Sequence, residues 1–277
     1  MRARIAVLLP VYNAEKFLRE CLDSIVRQTF PDFLLVACND GSTDGSPEIL
    51  KEYAAKDARI RILENPGNKG IVETRNHLLR ELPDGTEYVA WIDSDDVMFP
   101  DRLRRQSSYL DAHPEVGGVG SALEIIDENS RVTGFRPYPV TPAEIRRQLP
   151  LQNILAQPAL MLRADVIRRT GSYSSSCPVC QDYEYWLRVL DCSDFANLSD
   201  PVIRYRISST QVKQTKLKLS LRLTLKIQRD YFRRNRLRMP FACLFRQATG
   251  YLLLLLPSSW SLRLFKILTC RAKRSAK

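Results

Sequence analysis

Residues 33–50 read FLLVACNDGSTDGSPEIL. Phe33–Cys38 is an apolar run without alternation, as in a strand covered on both faces. Asn39-Asp40-Gly41-Ser42-Thr43-Asp44-Gly45 then concentrates the residue types that turn a chain. Ser46-Pro47-Glu48 opens a helix, with a cap, a proline at the first position and an acid in the first turn. The stretch is one strand–turn–helix unit, and its turn carries two carboxylates.

The same unit recurs on both sides. Towards the N-terminus, Ile5–Leu9 reads as a buried strand that stops at Pro10. Asn13 then caps a helix with Leu18, Cys21, Leu22, Ile25 and Val26 on one face. Residues 1–9 begin like a secretory leader, but the apolar run is short and meets Pro10, so a first strand is the expectation. Towards the C-terminus follow a strand at Ile60–Leu63, a turn at Asn65–Gly70, a helix at Ile71–Arg80 and a strand at Tyr88–Ile92. The alternation predicts an α/β fold with a mostly parallel central sheet flanked by helices. From Val116 the pattern changes: strands at Val116–Gly120, Ala122–Ile126 and Val202–Ile207, a turn at Asp127–Ser130, and helices at Pro142–Leu149, Ala164–Arg169 and Gln181–Leu190.

With 277 residues, 44% of them apolar, the chain has room for one large α/β domain and a smaller appendage. Charge divides it in the same way. Residues 1–210 hold 25 Lys and Arg against 30 Asp and Glu, net −5, while residues 211–277 hold 17 basic residues and one acid, Asp230, net +16. The expected organisation is therefore a body over 1–210, with halves 1–115 and 116–210, and a basic tail over 211–277. Seven cysteines without framework spacing suit a reducing cytoplasm.

In open α/β sheets ligands bind beyond the carboxyl ends of the strands. Three polar clusters fall there: Pro10–Asn13, Asn39–Asp44 and Asp93-Ser94-Asp95-Asp96. Carboxylates gathered so closely repel one another, and a hard divalent cation such as Mg²⁺ or Mn²⁺, shared with substrate phosphates, relieves that repulsion. The plainer reading is an acidic loop in which Asp96 assists the N-terminus of the next helix. Asp40, at a strand end, suits a base imide or ribose hydroxyl; the plainer reading is an ordinary turn. Neither a Gly-x-Gly-x-x-Gly nor a Gly-Lys-Ser/Thr phosphate loop is present, so metal and arginine must neutralise any phosphate. Arg75 is the candidate, against the plainer reading of a helix-surface ion pair.

Together these segments resemble the inverting family 2 glycosyltransferases of the GT-A fold. The resemblance rests on Leu9-Pro10-Val11-Tyr12-Asn13, on Asn39–Asp44, on Lys69-Gly70 through Arg75-Asn76 (with Thr74 where alanine is usual) and on Asp93-Ser94-Asp95-Asp96 as the Asp-x-Asp. It covers roughly residues 4–210, in order and spacing. It implies that Pro10, Tyr12 and Asp40 line the nucleoside pocket with Arg75 nearby. Asp93 would approach ribose and metal, and Asp95 would bind the Mn²⁺ or Mg²⁺ that bridges the diphosphate. Gln181-Asp182-Tyr183-Glu184-Tyr185-Trp186 resembles the family's acidic pair before an aromatic helix. Asp182 would then be the general base that deprotonates the acceptor hydroxyl, against a plainer role capping that helix, where its pKa would stay low.

Two departures stand out. Gln181 replaces the usual Glu, and Tyr205-Arg206-Ile207-Ser208 lacks the metal-site histidine of many relatives, leaving at most the Ser208 hydroxyl. Cys177-Pro178-Val179-Cys180 has no second ligand pair at zinc spacing and is expected to shape the acceptor loop.

The tail alternates leucine with Lys or Arg from 213 to 238, which on a helix spreads into an apolar surface among cations, as in an interfacial helix. Residues 241–256 are more apolar, but Arg246, Gln247 and Gly250 interrupt them short of the ~18–20 residues of a span. Trp260, Leu262, Leu264 and Phe265 follow among further cations. The expectation is peripheral attachment to the anionic inner face of a membrane; packing on the body or an oligomer contact is the rival.

The expected activity is transfer of a sugar from a nucleotide diphosphate donor, a UDP-sugar first, to a hydroxyl of a glycan or lipid-linked acceptor in surface-polysaccharide or lipopolysaccharide synthesis. A nucleotidyltransferase would need a Gly-rich phosphate loop where Pro10–Asn13 stands. A nucleic-acid-binding protein would want aromatics on its basic face, where this tail has leucine, so no nucleic acid is expected. A catalytically degenerate transferase stays open, given the missing histidine.

Overall fold

The computed structural model describes residues 3–207 and 217–255. The chain divides into two compact units, 1–208 and 209–277.

In the first unit, seven strands form one sheet in the order β10-β6-β9-β4-β1-β2-β3. β1 (Ile5–Val11), β2 (Phe33–Asn39), β3 (Ile60–Glu64) and β4 (Tyr88–Trp91) run parallel. α1 (Glu15–Val26), α2 (Ser46–Lys56) and α3 (Ile71–Arg80) connect them. Every residue of β1 and β2 is buried, which explains why neither alternates. On α1, Leu18, Cys21, Leu22 and Ile25 are buried and Val26 packs against the same core, the face read from the sequence.

β1 does not stop at Pro10. It continues to Val11, with Pro10 beside Cys38 and Val11 beside Asn39. The pairing of β1 with β4 has already ended at Leu8 beside Trp91. No ladder bond is therefore asked of the missing Pro10 N–H on that side.

The second half adds α4 (Arg102–Ala112), β6 (Val116–Ser121), α5 (Pro142–Gln148), β9 (Met161–Arg163), α6 (Ala164–Thr170), α7 (Gln181–Leu190) and β10 (Asp194–Leu198). β9 lies antiparallel between β4 and β6 and joins the two halves of the sheet. A smaller sheet has the order β5-β11-β7-β8, from β5 (Val97–Met98), β7 (Leu123–Ile126), β8 (Val132–Arg136) and β11 (Ile203–Arg206). α5 starts with a capping box, in which Thr141 and Glu144 satisfy each other's backbone N–H groups.

The second unit contains α8 (Leu217–Arg234) and α9 (Phe241–Leu255). The leucine alternation is thus carried on a helix, with Leu223, Leu225 and Ile227 buried and Leu219 exposed. No helix among the described residues is long and apolar enough to cross a membrane. Tail residues 213–216, the stretch from 256 that holds Trp260, Leu262, Leu264 and Phe265, and Ser208 lie outside the described residues.

Candidate functional site

The loops after β1 and β2 interlock. Asn13, with φ 46°, does not cap α1; its Oδ1 accepts the Thr43 N–H at 2.8 Å. The N-terminus of α1 is served from the other loop instead: Ser46 Oγ accepts the Ala14 N–H at 2.9 Å and Asp44 Oδ2 the Glu15 N–H at 3.0 Å. Glu15 returns the bond, accepting the Gly45 N–H at 2.9 Å. Ser46 is accordingly the first residue of α2, after Gly45 in the cap position, and not its cap. Sequence reading assigned each cap to its own helix because local spacing cannot show an exchange between two. Tyr12 follows Val11, which pairs with Asn39 at the end of β2, and is 49% exposed. Pro10 is buried in β1.

Asp40 is almost fully buried, and the protein already engages it. Its carboxylate accepts Asn65 Nδ2 at 2.7 Å and the N–H groups of Lys69 and Gly70, each at 2.9 Å. A carboxylate offers about four lone-pair directions, so one is left for a ligand. Asp40 thereby ties the turn before α3 to the end of β2. Gly41 allows the same close approach: its φ is +69°, and an added Cβ would lie 2.5 Å from the Gly67 carbonyl carbon.

Arg75 is no surface ion pair. It is 4% exposed, lies 5.7 Å from the centroid of the Trp91 ring and 6.0 Å from that of Tyr173, and donates from Nη2 to Asp93 Oδ1 at 3.0 Å. Its buried Nε has no protein partner. The next residue, Asn76, grips Tyr173 through both backbone groups, Nδ2 to the carbonyl at 3.0 Å and Oδ1 from the N–H at 2.8 Å.

The acidic cluster is not three equivalent carboxylates. Asp93 is about one third exposed and paired with Arg75. Burial, and then the charge of Asp93, push Asp95 up to about 6. Asp96 turns inward: it is fully buried, Oδ1 accepts the Arg206 N–H at 2.8 Å, and Oδ2 has no partner. It does not serve a helix N-terminus, because the chain enters β5 directly after it. Burial, with Asp95 and Asp93 adding, pushes the Asp96 carboxyl well up.

Arg206, seen from sequence only as part of a Tyr-Arg pair, fixes this loop from below. Its fully buried guanidinium donates to the carbonyls of Asp95 at 2.7 Å and Asp127 at 2.9 Å, and to Glu20 Oε2 at 2.6 Å.

Asp182 lies in the first turn of α7, two residues after the cap position at Cys180, so it is not the cap. Its Oδ2 accepts Asn153 Nδ2 at 3.0 Å. Asn153 stands in a stretch without a motif, and no sequence signal marked it. Tyr173 stacks on Tyr185 of α7 at 4.2 Å and meets Trp91 edge-on at 5.7 Å. An aromatic wall thus runs from the end of β4 to α7. Cys177 and Cys180, both buried and neither in a disulfide, lie in the segment leading into that helix.

Among the described residues no three His, Cys, Asp or Glu side chains are placed to hold a metal ion. Asp93 and Asp95 nevertheless fit a divalent cation. Two hard oxygen donors stand two residues apart on one loop, and Asp95 is raised first by burial and then by the charge of Asp93, which Arg206 only partly offsets. A pair of carboxylates completed by phosphate and water is a usual Mg²⁺ arrangement.

Known proteins share this organisation. The profile described as Glycosyl transferase family 2 matches residues 6–171. The O-antigen biosynthesis glycosyltransferase WbnJ of Escherichia coli is 30% identical over 224 residues, covering 77% of this chain and 83% of WbnJ. The UDP-Glc:alpha-D-GlcNAc-diphosphoundecaprenol beta-1,3-glucosyltransferase WfgD, also of Escherichia coli, is 28% identical over 218 residues, 77% of this chain and 81% of WfgD. Among solved structures, the mannosyltransferase PcManGT from Pyrobaculum calidifontis, in complex with GDP-Man and Mn²⁺, superposes with a TM-score of 0.60 at 18% identity, covering 100% of this chain and 76% of that one. At that identity the likeness is one of fold. The chain belongs to glycosyl transferase family 2, has the GT-A fold, and is a glycosyltransferase.

Proposed function

We propose that this enzyme transfers a sugar from a nucleoside diphosphate donor, a UDP-sugar, to a hydroxyl of a glycan or lipid-linked acceptor, inverting the anomeric configuration, in the synthesis of a cell-surface polysaccharide. The observation that carries the reading is the linked set Asp93–Arg75–Tyr173: one buried guanidinium pairs with the acid at the end of β4 and lies against the wall that leads to α7. Residues 1–210 form the catalytic domain, with the nucleotide half at 1–115 and the acceptor half at 116–210. The names of WbnJ and WfgD support the pathway, the UDP donor and a lipid diphosphate acceptor.

Pro10, Tyr12 and the remaining direction of Asp40 hold the nucleoside. Asp93 faces the ribose and, with Asp95, would hold Mn²⁺ or Mg²⁺. When bound, that cation supplies Lewis-acid stabilisation of the departing diphosphate. Arg75 adds a fixed positive charge beside Asp93. Asp182 takes the proton of the acceptor hydroxyl as its oxygen attacks the anomeric carbon; the C–O bond to the diphosphate breaks on the opposite face, in one displacement. Asn153 holds Oδ2 of the base and leaves Oδ1 for the hydroxyl. The basic tail, residues 211–277, attaches the enzyme to an anionic inner membrane surface, where a lipid-linked acceptor resides.

Calorimetry with UDP, dTDP and GDP, with and without Mn²⁺, tests the reading on wild type and Asp95→Ala. Metal-dependent binding of UDP, lost in the variant, is expected. Binding of GDP or dTDP alone would correct the donor. No binding to any nucleotide with metal present would overturn an active transferase and favour a degenerate one.

A further inference from the structure

The connection between α8 and α9 is short and strained. Arg236 has φ 53°, a left-handed conformation that favours glycine and costs other residues about 1–2 kcal/mol. It closes α8 in the paired-bond manner of a Schellman motif, with the Leu237 N–H on the Phe232 carbonyl at 2.9 Å and the Arg236 N–H on the Arg233 carbonyl at 3.2 Å. Pro240 then starts α9, its carbonyl accepting the N–H groups of Cys243 at 2.9 Å and Leu244 at 3.0 Å. Below the connection the helices are locked together. Gln247 Nε2 donates to the Leu225 carbonyl at 3.0 Å and to Gln228 Oε1 at 3.1 Å, and a Cβ on Gly250 would lie 2.9 Å from Leu225.

This braced end exposes what a folded protein ordinarily hides. Phe241 is 82% exposed, Phe245 63%, Leu237 53% and Leu244 50%. Exposed arginines, Arg233, Arg234, Arg236 and Arg238, surround them in sequence. Lone exposed apolar residues are ordinary, but four within nine positions at one hairpin end, two of them phenylalanine, are a patch.

We infer that this hairpin end is the element that enters an anionic bilayer surface, its phenylalanines and leucines reaching the acyl boundary and its arginines meeting lipid phosphates. The proposal rests on the membrane attachment proposed above and assigns it to particular residues. Charge argues for lipid over a second copy of this chain: two such ends facing each other would bring arginines against arginines, whereas an anionic surface attracts each of them. The glycine-type conformation of Arg236 follows the same logic, because arginine there places a cation at the apex at a cost in local strain. α9 is too interrupted to span, so the apolar end inserts to interfacial depth only.

The test uses the full chain with vesicles of phosphatidylcholine alone or mixed with phosphatidylglycerol, read by co-sedimentation. Expected is binding to the mixed vesicles only, weakened by salt. Arg236→Gly with Arg238→Gln should weaken it by roughly five-fold per arginine. Glycine suits the left-handed position, so this variant keeps the turn. Phe241→Ser with Phe245→Ser should abolish binding, with helix content by circular dichroism and UDP binding by calorimetry unchanged. Wild-type binding that both variants retain would leave attachment standing and overturn the hairpin's part in it. No wild-type binding to either vesicle would overturn attachment as a whole. A concentration-dependent dimer lost in the phenylalanine variant, without vesicle binding, would make a second copy the occupant.

Discussion

Arg75 and Asp93 pair at 3.0 Å across the end of the sheet, and they do so from unequal surroundings: the arginine side chain is 5% exposed and the aspartate side chain 34%. The charge is held from inside by Trp91 and Tyr173, and the carboxylate meets solvent. Asp93 is thereby oriented through Oδ1 while its side chain stays accessible.

Replacing Arg75 by lysine should not be conservative. An ammonium can neutralise Asp93 but lacks the planar guanidinium that lies near both the Trp91 and Tyr173 rings. Charge-assisted bonds are worth about 1.5–3 kcal/mol, so donor affinity should fall ~10- to 100-fold in Arg75→Lys. Calorimetric titration of wild type and variant with UDP and Mn²⁺ gives the ratio; equal affinities would remove Arg75 from the donor site.

Asp182→Asn should lower kcat by ~10²–10⁴-fold, the range for general-base catalysis, with donor affinity unchanged. If Asp182 is the base, Asn153→Ala should lower kcat by only about ten-fold, since Asn153 holds Asp182 through one hydrogen bond. Steady-state turnover alongside nucleotide calorimetry separates the two; a loss of donor binding in Asp182→Asn would place that residue elsewhere in the cycle.

Gly41→Ala should destabilise the first unit. The new Cβ meets Gly67 backbone at 2.5 Å, and the left-handed φ adds to the strain. Strain of about 2 kcal/mol would lower Tm by ~4–8 °C in a unit of this size. A thermal melt followed by circular dichroism reads it, and an unchanged Tm would mean that the turn opens without cost.

Arg206→Met should cost more, about 3 kcal/mol or above, because carbonyls of Asp95 and Asp127 lose a buried cationic donor. Glu20→Gln, at the solvent-exposed end of the same network, should cost less than ~1 kcal/mol. Urea unfolding compares them, and equal costs would show that the buried carbonyls find other donors.

Much of the first half was legible in the chain itself, for a local reason. A parallel strand buried on both faces is a run of apolar residues, and the turn and helix start after it are written in adjacent positions. Asp40, Arg75, Asp93 and Asp95 could be named because they sit at fixed offsets from such runs. α4 was not legible, because its buried face is Arg102, Gln106 and Ser107 as much as Leu103 and Leu110. Those polar groups belong inside only because backbone carbonyls meet them there: Arg102 donates to the Trp91 carbonyl at 2.8 Å, and Gln106 to those of Val119 and Ala159, each at 2.8 Å.

β9, three residues long, carries too little pattern to be read, yet it completes the sheet between β4 and β6. The exchanged caps of α1 and α2, the Asn153–Asp182 bond and the Arg206 network join residues from 29 to 186 positions apart. The strand–helix alternation and the identity of the acids at the strand ends are set by neighbours along the chain, and so were readable in it. Which carboxylate faces solvent, which is turned inward and which donor binds Asp182 were decided by folding, because burial and hydrogen bonding depend on groups that only the fold brings within reach.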